Sequence, residues 1–151
     1  MRLLDVRKIP YTTRRYEDDG GLGGVGVAAA LGEEPERVFK TLVTRGPKGH
    51  YVFLVPVAEE LDLKKAARAV GEKYVEMVKA AQLLPLTGYV HGGCSPVGMK
   101  KRFPTAIHES ARAFPTIFYS GGRVGCQLET APEALVQMTD AKYADLIADH
   151  P

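Results

Sequence analysis

Val38-Phe39-Lys40-Thr41-Leu42-Val43-Thr44-Arg45-Gly46-Pro47-Lys48-Gly49-His50-Tyr51-Val52-Phe53-Leu54-Val55-Pro56-Val57 decides how the rest of this chain must fold. Residues 38–44 have strand composition, residues 45–49 have turn chemistry, and residues 51–57 are a continuous apolar run. Two such runs around a Gly- and Pro-bearing turn predict a hairpin. The second run is apolar at every position, which predicts a central strand covered on both faces. Pro56 places its far end at a sheet margin, since proline cannot donate to a ladder. The period of two puts Lys40 on the face of Val38 and Leu42. That lysine has two readings: a stem snorkelling from a solvated face, or a cation held partly out of water, where it attracts an ester oxygen or phosphate more strongly.

Working downstream, Asp62 predicts the N-cap of a helix carrying Leu63, Ala66, Ala67 and Val70 on one face and closed by Gly71, with Lys64, Lys65 and Arg68 solvated. Residues 73–77 read as a short strand, and 78–84 as a short helix stopped by Pro85. Residues 102–107, 116–120 and 124–129 are strand-like, the last two joined by Gly121-Gly122-Arg123. Pro132 opens a helical region over 133–150. Upstream, residues 2–9 read as the last turns of a helix ending before Pro10. Residues 11–16 alternate as an exposed strand, with Thr12, Arg14 and Tyr16 on one face. Gly21-Leu22-Gly23-Gly24-Val25-Gly26 matches G-x-G-x-x-G, but it follows Glu17-Asp18-Asp19-Gly20, whose acids would repel a pyrophosphate, and no buried strand precedes it. It reads instead as a loop into a short helix over 27–31 ending at Gly32. No repeat divides the chain, so residues 1–151 are expected to be one mixed α/β domain.

With 45% hydrophobic and 25% charged residues, the 151-residue chain can bury a real core. Cys94 and Cys126 are too few for a secreted disulfide framework, and the charged first eight residues do not resemble a signal peptide. No apolar run reaches membrane-spanning length. A cytoplasmic, soluble protein is expected. The net charge of +2 conceals an asymmetry: residues 37–127 hold 14 basic and 6 acidic side chains. Such a region suits a polyanion such as RNA.

Thr87-Gly88-Tyr89-Val90-His91-Gly92-Gly93-Cys94-Ser95-Pro96-Val97-Gly98-Met99-Lys100-Lys101 reads either as a binding loop or as a tight strand connection with a solvated basic edge. Its glycines allow close backbone approach to a ligand, and bare N–H groups with positive charge behind them suit a phosphate, a carboxylate or a developing oxyanion. No G-x-S-x-G elbow occurs, and neither Ser95 nor Ser120 has a nearby histidine in sequence. His91 and Cys94 alone do not make a zinc site, and no metal or cofactor is expected. Basic neighbours could lower the pKa of Cys94, although a small packing residue is the simpler reading.

Four ordered segments, Val38-Phe39-Lys40-Thr41-Leu42, Val55-Pro56-Val57 with Leu61-Asp62-Leu63-Lys64-Lys65, residues 87–98, and Tyr119-Ser120-Gly121-Gly122-Arg123, resemble the YbaK/EbsC family of aminoacyl-tRNA deacylases, relatives of the editing domain of bacterial prolyl-tRNA synthetases. The resemblance implies a single domain with a barrel-like mixed sheet surrounded by short helices. It also implies a trans-editing activity that removes a wrongly attached amino acid from tRNA. In one branch the thiol of a cysteine carried by tRNA(Pro) attacks its own ester and leaves as a thiolactone, a lyase-type cleavage. Other branches remove alanine or small hydroxy amino acids with a bound water. A non-catalytic tRNA- or synthetase-binding module is the alternative from another class.

Carried over by position, the resemblance makes Lys40, Gly92 and Gly93 catalytic and Tyr16, Thr41, Ser120 and Gln127 substrate-binding. Lys100, Lys101 and Arg102 are expected to meet the tRNA backbone. Gln127 stands where one branch has aspartate, and residues 22–27 lack that branch's aromatic. Both departures bear on the accepted side chain. The implied partners are a mischarged aminoacyl-tRNA and prolyl-tRNA synthetase, with no DNA and no membrane.

Overall fold

The structure, a computed structural model, describes residues 8–17 and 23–149, so most of the helix expected over residues 2–9 lies outside the described residues. In chain order the elements are β1 (Thr12–Arg15), α1 (Gly23–Leu31), a 3-10 turn (Pro35–Arg37), β2 (Phe39–Gly46), β3 (Gly49–Pro56), α2 (Leu63–Val70), β4 (Glu76–Met77), α3 (Ala80–Thr87), β5 (Thr105–His108), a second 3-10 turn (Glu109–Ala113), β6 (Ile117–Ser120), β7 (Cys126–Thr130), α4 (Pro132–Thr139) and β8 (Lys142–Ala144).

The expected hairpin forms, with Gly46 opposite Gly49 and only Pro47 and Lys48 between them. Buried Glu72 fixes that turn by accepting from the Lys48 N–H and the Tyr51 hydroxyl, both at 2.8 Å. A side chain at Gly46 would collide with its carboxylate, 2.7 Å from an ideal Cβ. β3 becomes the centre of a five-stranded mixed sheet ordered β4-β2-β3-β5-β8, which is why it is apolar on both faces. β5 and β8 run parallel to it. The second sheet, β1-β7-β6, is antiparallel. The two sheets meet at a parallel bridge between Val38 and Phe118 and do not close into a barrel.

Each face then has its own core. Phe39, Val43, Val52, Leu54 and Ile107 pack against Ile117, Tyr119 and Leu128 of the second sheet. Tyr51, Phe53, Val55 and Ala106 pack beneath Ala66 and Ala67 of α2. Val38, Val57 and Phe118 receive Ala28 and Leu31 of α1. α2 is capped as its sequence predicts, by Asp62, which accepts from the N–H groups of Lys64 and Lys65, and by left-handed Gly71.

Three local expectations are corrected. Pro85 lies inside α3 instead of stopping it: the missing N–H costs one bond in a two-turn helix, while Leu83 and Leu86 still pack on the core. The C-terminal helix ends at left-handed Asp140, and residues 142–144 join the sheet edge as β8, because pairing to β5 satisfies backbone groups that a longer helix would leave facing it. Lys65 is not merely solvated. Its ammonium donates to Asp145, to Asp149 and to the Ile147 carbonyl, tying α2 to the C-terminal segment.

Candidate active site

The bridge between Val38 and Phe118 is parallel, and Lys40 and Ser120 each lie two residues beyond it, so strand alternation turns each to the side that Val38 and Phe118 take. Ser120 pairs with Gln127, and Gln127 with Arg14, which adds both to that face. Tyr16 follows one pleat beyond Arg14, donates its N–H to Gly125 O (3.1 Å) and packs with Val27 on the α1 cluster. Ser120, Gln127 and Tyr16, far apart in sequence, are thus collected on one face of the second sheet, which α1 flanks at Phe118 and Tyr16.

The chemistry of these groups differs from that of a wet surface. Burial lowers the pKa of Lys40, while Glu60 and Glu59 oppose that shift. Gln127 is 6% exposed and its Oε1 is buried with no hydrogen-bond partner among the described residues. An orphaned buried acceptor costs about 1–3 kcal/mol, a penalty that a bound donor would relieve. Ser120 Oγ accepts from the Gly122 N–H at 3.2 Å, which shapes the β6–β7 turn.

The glycine loop seats on that turn. An ideal Cβ on Gly93 would stand 3.0 Å from both Arg123 Cα and Val124 N, and one on Gly122 would stand 3.1 Å from the Tyr89 ring. Tyr89, which the sequence reading did not single out, donates its hydroxyl to Val97 O at 2.6 Å and pins the loop closed. Gly92 is exposed, has φ +85° and has no main-chain hydrogen bond for its N–H among the described residues. The Gly93 N–H donates to Val90 O at 3.0 Å, so of the two amides only that of Gly92 is without a main-chain partner among the described residues.

Other expected residues fall elsewhere. Strand alternation sends Thr41 to the opposite face with Phe39 and Val43, where its Oγ1 is buried and unpartnered. Arg102 is engaged by Asp140 at 2.6 Å. Lys101 lines a cleft of about 200 Å³ with Pro96, Met99, Phe103 and Met138, and Lys100 is exposed beside Gly88. Ser95 is fully buried, its hydroxyl accepting from the Val97 N–H. Burial pushes the pKa of the Cys94 thiol up to about 11, and the residue packs in the core as the simpler reading has it.

A network missed at the sequence level braces this face. Arg14 donates to Leu31 O and Glu33, and Arg37 donates to Thr116 and Glu33. Both guanidiniums lie over the buried Phe118 ring, at 5.7 and 5.3 Å from its centroid. Only the alternation of residues 11–16 hinted at Arg14.

No helix among the described residues is long and apolar enough to cross a membrane. The aminoacyl-tRNA editing domain family matches residues 25–138. A relative in Enterococcus faecalis, named "Putative Cys-tRNA(Pro)/Cys-tRNA(Cys) deacylase EbsC", is 45% identical over 97% of this chain and 90% of its own. A proline–tRNA ligase of Thermosipho melanesiensis is 33% identical over 48% of this chain but only 13% of the ligase. The crystal structure of a "putative trans-editing enzyme for prolyl tRNA synthetase" superposes with a TM-score of 0.84 at 30% identity, covering 97% and 92% of the two chains. With the glycine loop seated on the turn after Ser120, and a family match that spans residues 25–138 beside a relative 45% identical over nearly the whole chain, the chain belongs to the aminoacyl-tRNA editing domain family.

Proposed function

We propose that this protein is a trans-editing aminoacyl-tRNA deacylase that takes cysteine off tRNA(Pro), with the substrate's own thiol as nucleophile. The observation that supports it is the buried Gln127 oxygen without a hydrogen-bond partner, paired across the sheet with Ser120, whose turn carries the Gly92-Gly93 loop; Lys40 lies two residues past the Val38–Phe118 bridge. In this reading the ammonium of Lys40 holds the terminal phosphate or ester region. The Gly92 N–H donates to the carbonyl oxygen as it gains charge, and Gln127 Oε1 accepts from the α-ammonium. The substrate thiol attacks the carbonyl carbon; the ester C–O bond breaks; the proton lost by sulfur ends on the departing ribose oxygen; and a thiolactone is released. One oxyanion donor is worth about 2.7–4 kcal/mol, and a correctly placed intramolecular nucleophile supplies more.

Supporting a substrate nucleophile, the thiol and hydroxyl of the glycine loop are ill-suited: Cys94 is buried with a raised pKa, and Ser95 is fully buried in a local turn. Incubating the purified protein with Cys-, Ala- and Ser-tRNA(Pro) tests the reading. Release of cysteine as thiolactone is expected. Release of alanine or serine as free acid would instead favour a bound-water mechanism, and tRNA binding without ester loss would favour a non-catalytic module. The 45% identical relative's name favours cysteine among the three.

A further inference from the structure

Between Glu76 and Glu109 the chain carries no aspartate or glutamate, yet it holds Lys79, Lys100, Lys101 and Arg102. The fold lays this stretch out as one edge. β4 pairs with Thr44 and Arg45 at the far end of β2, and the Val78 N–H donates to Val43 O at 3.0 Å where α3 begins. α3 carries the chain about 12 Å at 1.5 Å per residue. At its end the Lys100 N–H donates to Thr87 O, and the Lys100 stem passes within 3.6 Å of an ideal Cβ on Gly88. Tyr89 then leads into the Gly92-Gly93 loop.

Lys73, Lys79, Lys100 and Lys101 are exposed, and none forms an ion pair among the described residues. The acids nearest this edge are already occupied: Glu76 by Arg45, Asp140 by Arg102, and buried Glu72 by Tyr51 and Lys48. Along the same edge Tyr74 is 57% exposed; the start of α3 presents small, uncharged Ala80, Ala81 and Gln82, and Met77 and Leu84 add exposed apolar side chains beside them.

We propose that this edge, from Lys73-Tyr74 through Lys79 and α3 to Lys100-Lys101, is the track on which the duplex arm of an RNA lies while its acylated end enters the site. The proposal rests on the editing reading for which end of the RNA is bound. Ammonium groups at both ends of a low neutral ridge meet successive phosphates and release their counterions. The exposed Tyr74 side chain meets the 2′-hydroxyls along the wide minor groove, the part of an RNA duplex that side chains reach. Four lysines without ion pairs set around the few exposed apolar side chains favour RNA over a protein occupant, because lysine is depleted from the cores of protein interfaces.

The test is anisotropy of fluorescently labelled, uncharged tRNA titrated with the full chain across a series of salt concentrations. Lys73→Glu combined with Lys79→Glu should weaken binding about tenfold at low salt and flatten the log–log salt slope by roughly two, at about 0.9 per phosphate contact. The matched pair Lys64→Glu with Arg68→Glu on α2 should stay within about twofold. Unchanged affinity in the first pair, or equal loss in both, would overturn the track. So would a first pair that binds tRNA normally but no longer binds purified prolyl-tRNA synthetase, since the face would then belong to a protein. Because no turnover is measured, a wild-type protein that deacylates nothing would sink the editing reading and leave this result legible.

Discussion

Gly93 and Arg123 approach so closely that an ideal Cβ on the glycine would stand 3.0 Å from the Arg123 Cα. The obstruction is main chain, not a flexible side-chain tip, so neither strand of the contact can yield without moving the loop or the β6–β7 turn. This contact holds the glycine loop against the turn that follows Ser120.

Gly93→Ala should therefore separate loop from turn. We expect a stability loss of about 1–3 kcal/mol, the usual cost of overpacking, and a fall in deacylation of at least tenfold. Urea midpoints together with single-turnover deacylation of Cys-tRNA(Pro) measure both, and an unperturbed rate would show that the contact does not position the loop.

Lys40 should display a trade between stability and activity. Its folded pKa lies below the ordinary lysine value because burial disfavours the ammonium. The native state then binds fewer protons than the unfolded chain near and above that pKa. The burial penalty is felt at neutral pH and disappears as pH rises through the folded pKa toward the ordinary value. Lys40→Met is expected to match or exceed wild type in thermal stability at pH 7 while losing about a hundredfold in kcat. A variant that keeps wild-type turnover removes Lys40 from the reaction.

Cys94 should be inert. With its pKa pushed up to about 11, only about one thiol in a thousand is ionised at pH 8. Iodoacetamide labelling in the folded protein is expected to be slow and to accelerate on denaturation, and Cys94→Ala should retain deacylation within about threefold. Rapid native labelling that abolishes activity would point instead to an enzyme thiol.

His108 should make stability depend on mild acid. Its Nδ1 accepts from the Leu146 N–H at 3.1 Å, so the neutral ring carries its proton on Nε2. Burial lowers its pKa; Asp145, Glu109 and Glu59 oppose that shift, and Lys65 reinforces it. A folded pKa below the unfolded value means the contribution is complete above about 6.5 and is lost as pH falls toward the folded value. Urea midpoints should drop between pH 7.5 and 5 in the wild type, and less steeply in His108→Leu. Parallel pH profiles for the two proteins would count against the assignment.

Features that depend on neighbours along the chain were readable from residues alone. The Gly46–Gly49 turn, the doubly apolar β3, the Asp62 and Gly71 caps and the β6–β7 hairpin all follow from dihedral preference, alternation and capping, which act over a few residues. Alternation also gave Lys40 its face, but it could not say what lay opposite. The Val38–Phe118 bridge that joins the two sheets links residues eighty positions apart, and its register is chosen by burying three apolar faces at once. The same collective packing gave Lys65 two carboxylates and a carbonyl near the C-terminus, and drew residues 142–144 out of a helix into β8. Local sequence dictated the pieces and the chemistry they carry, whereas tertiary structure decided which pieces face one another, because burial rewards the assembled surface and not any single segment.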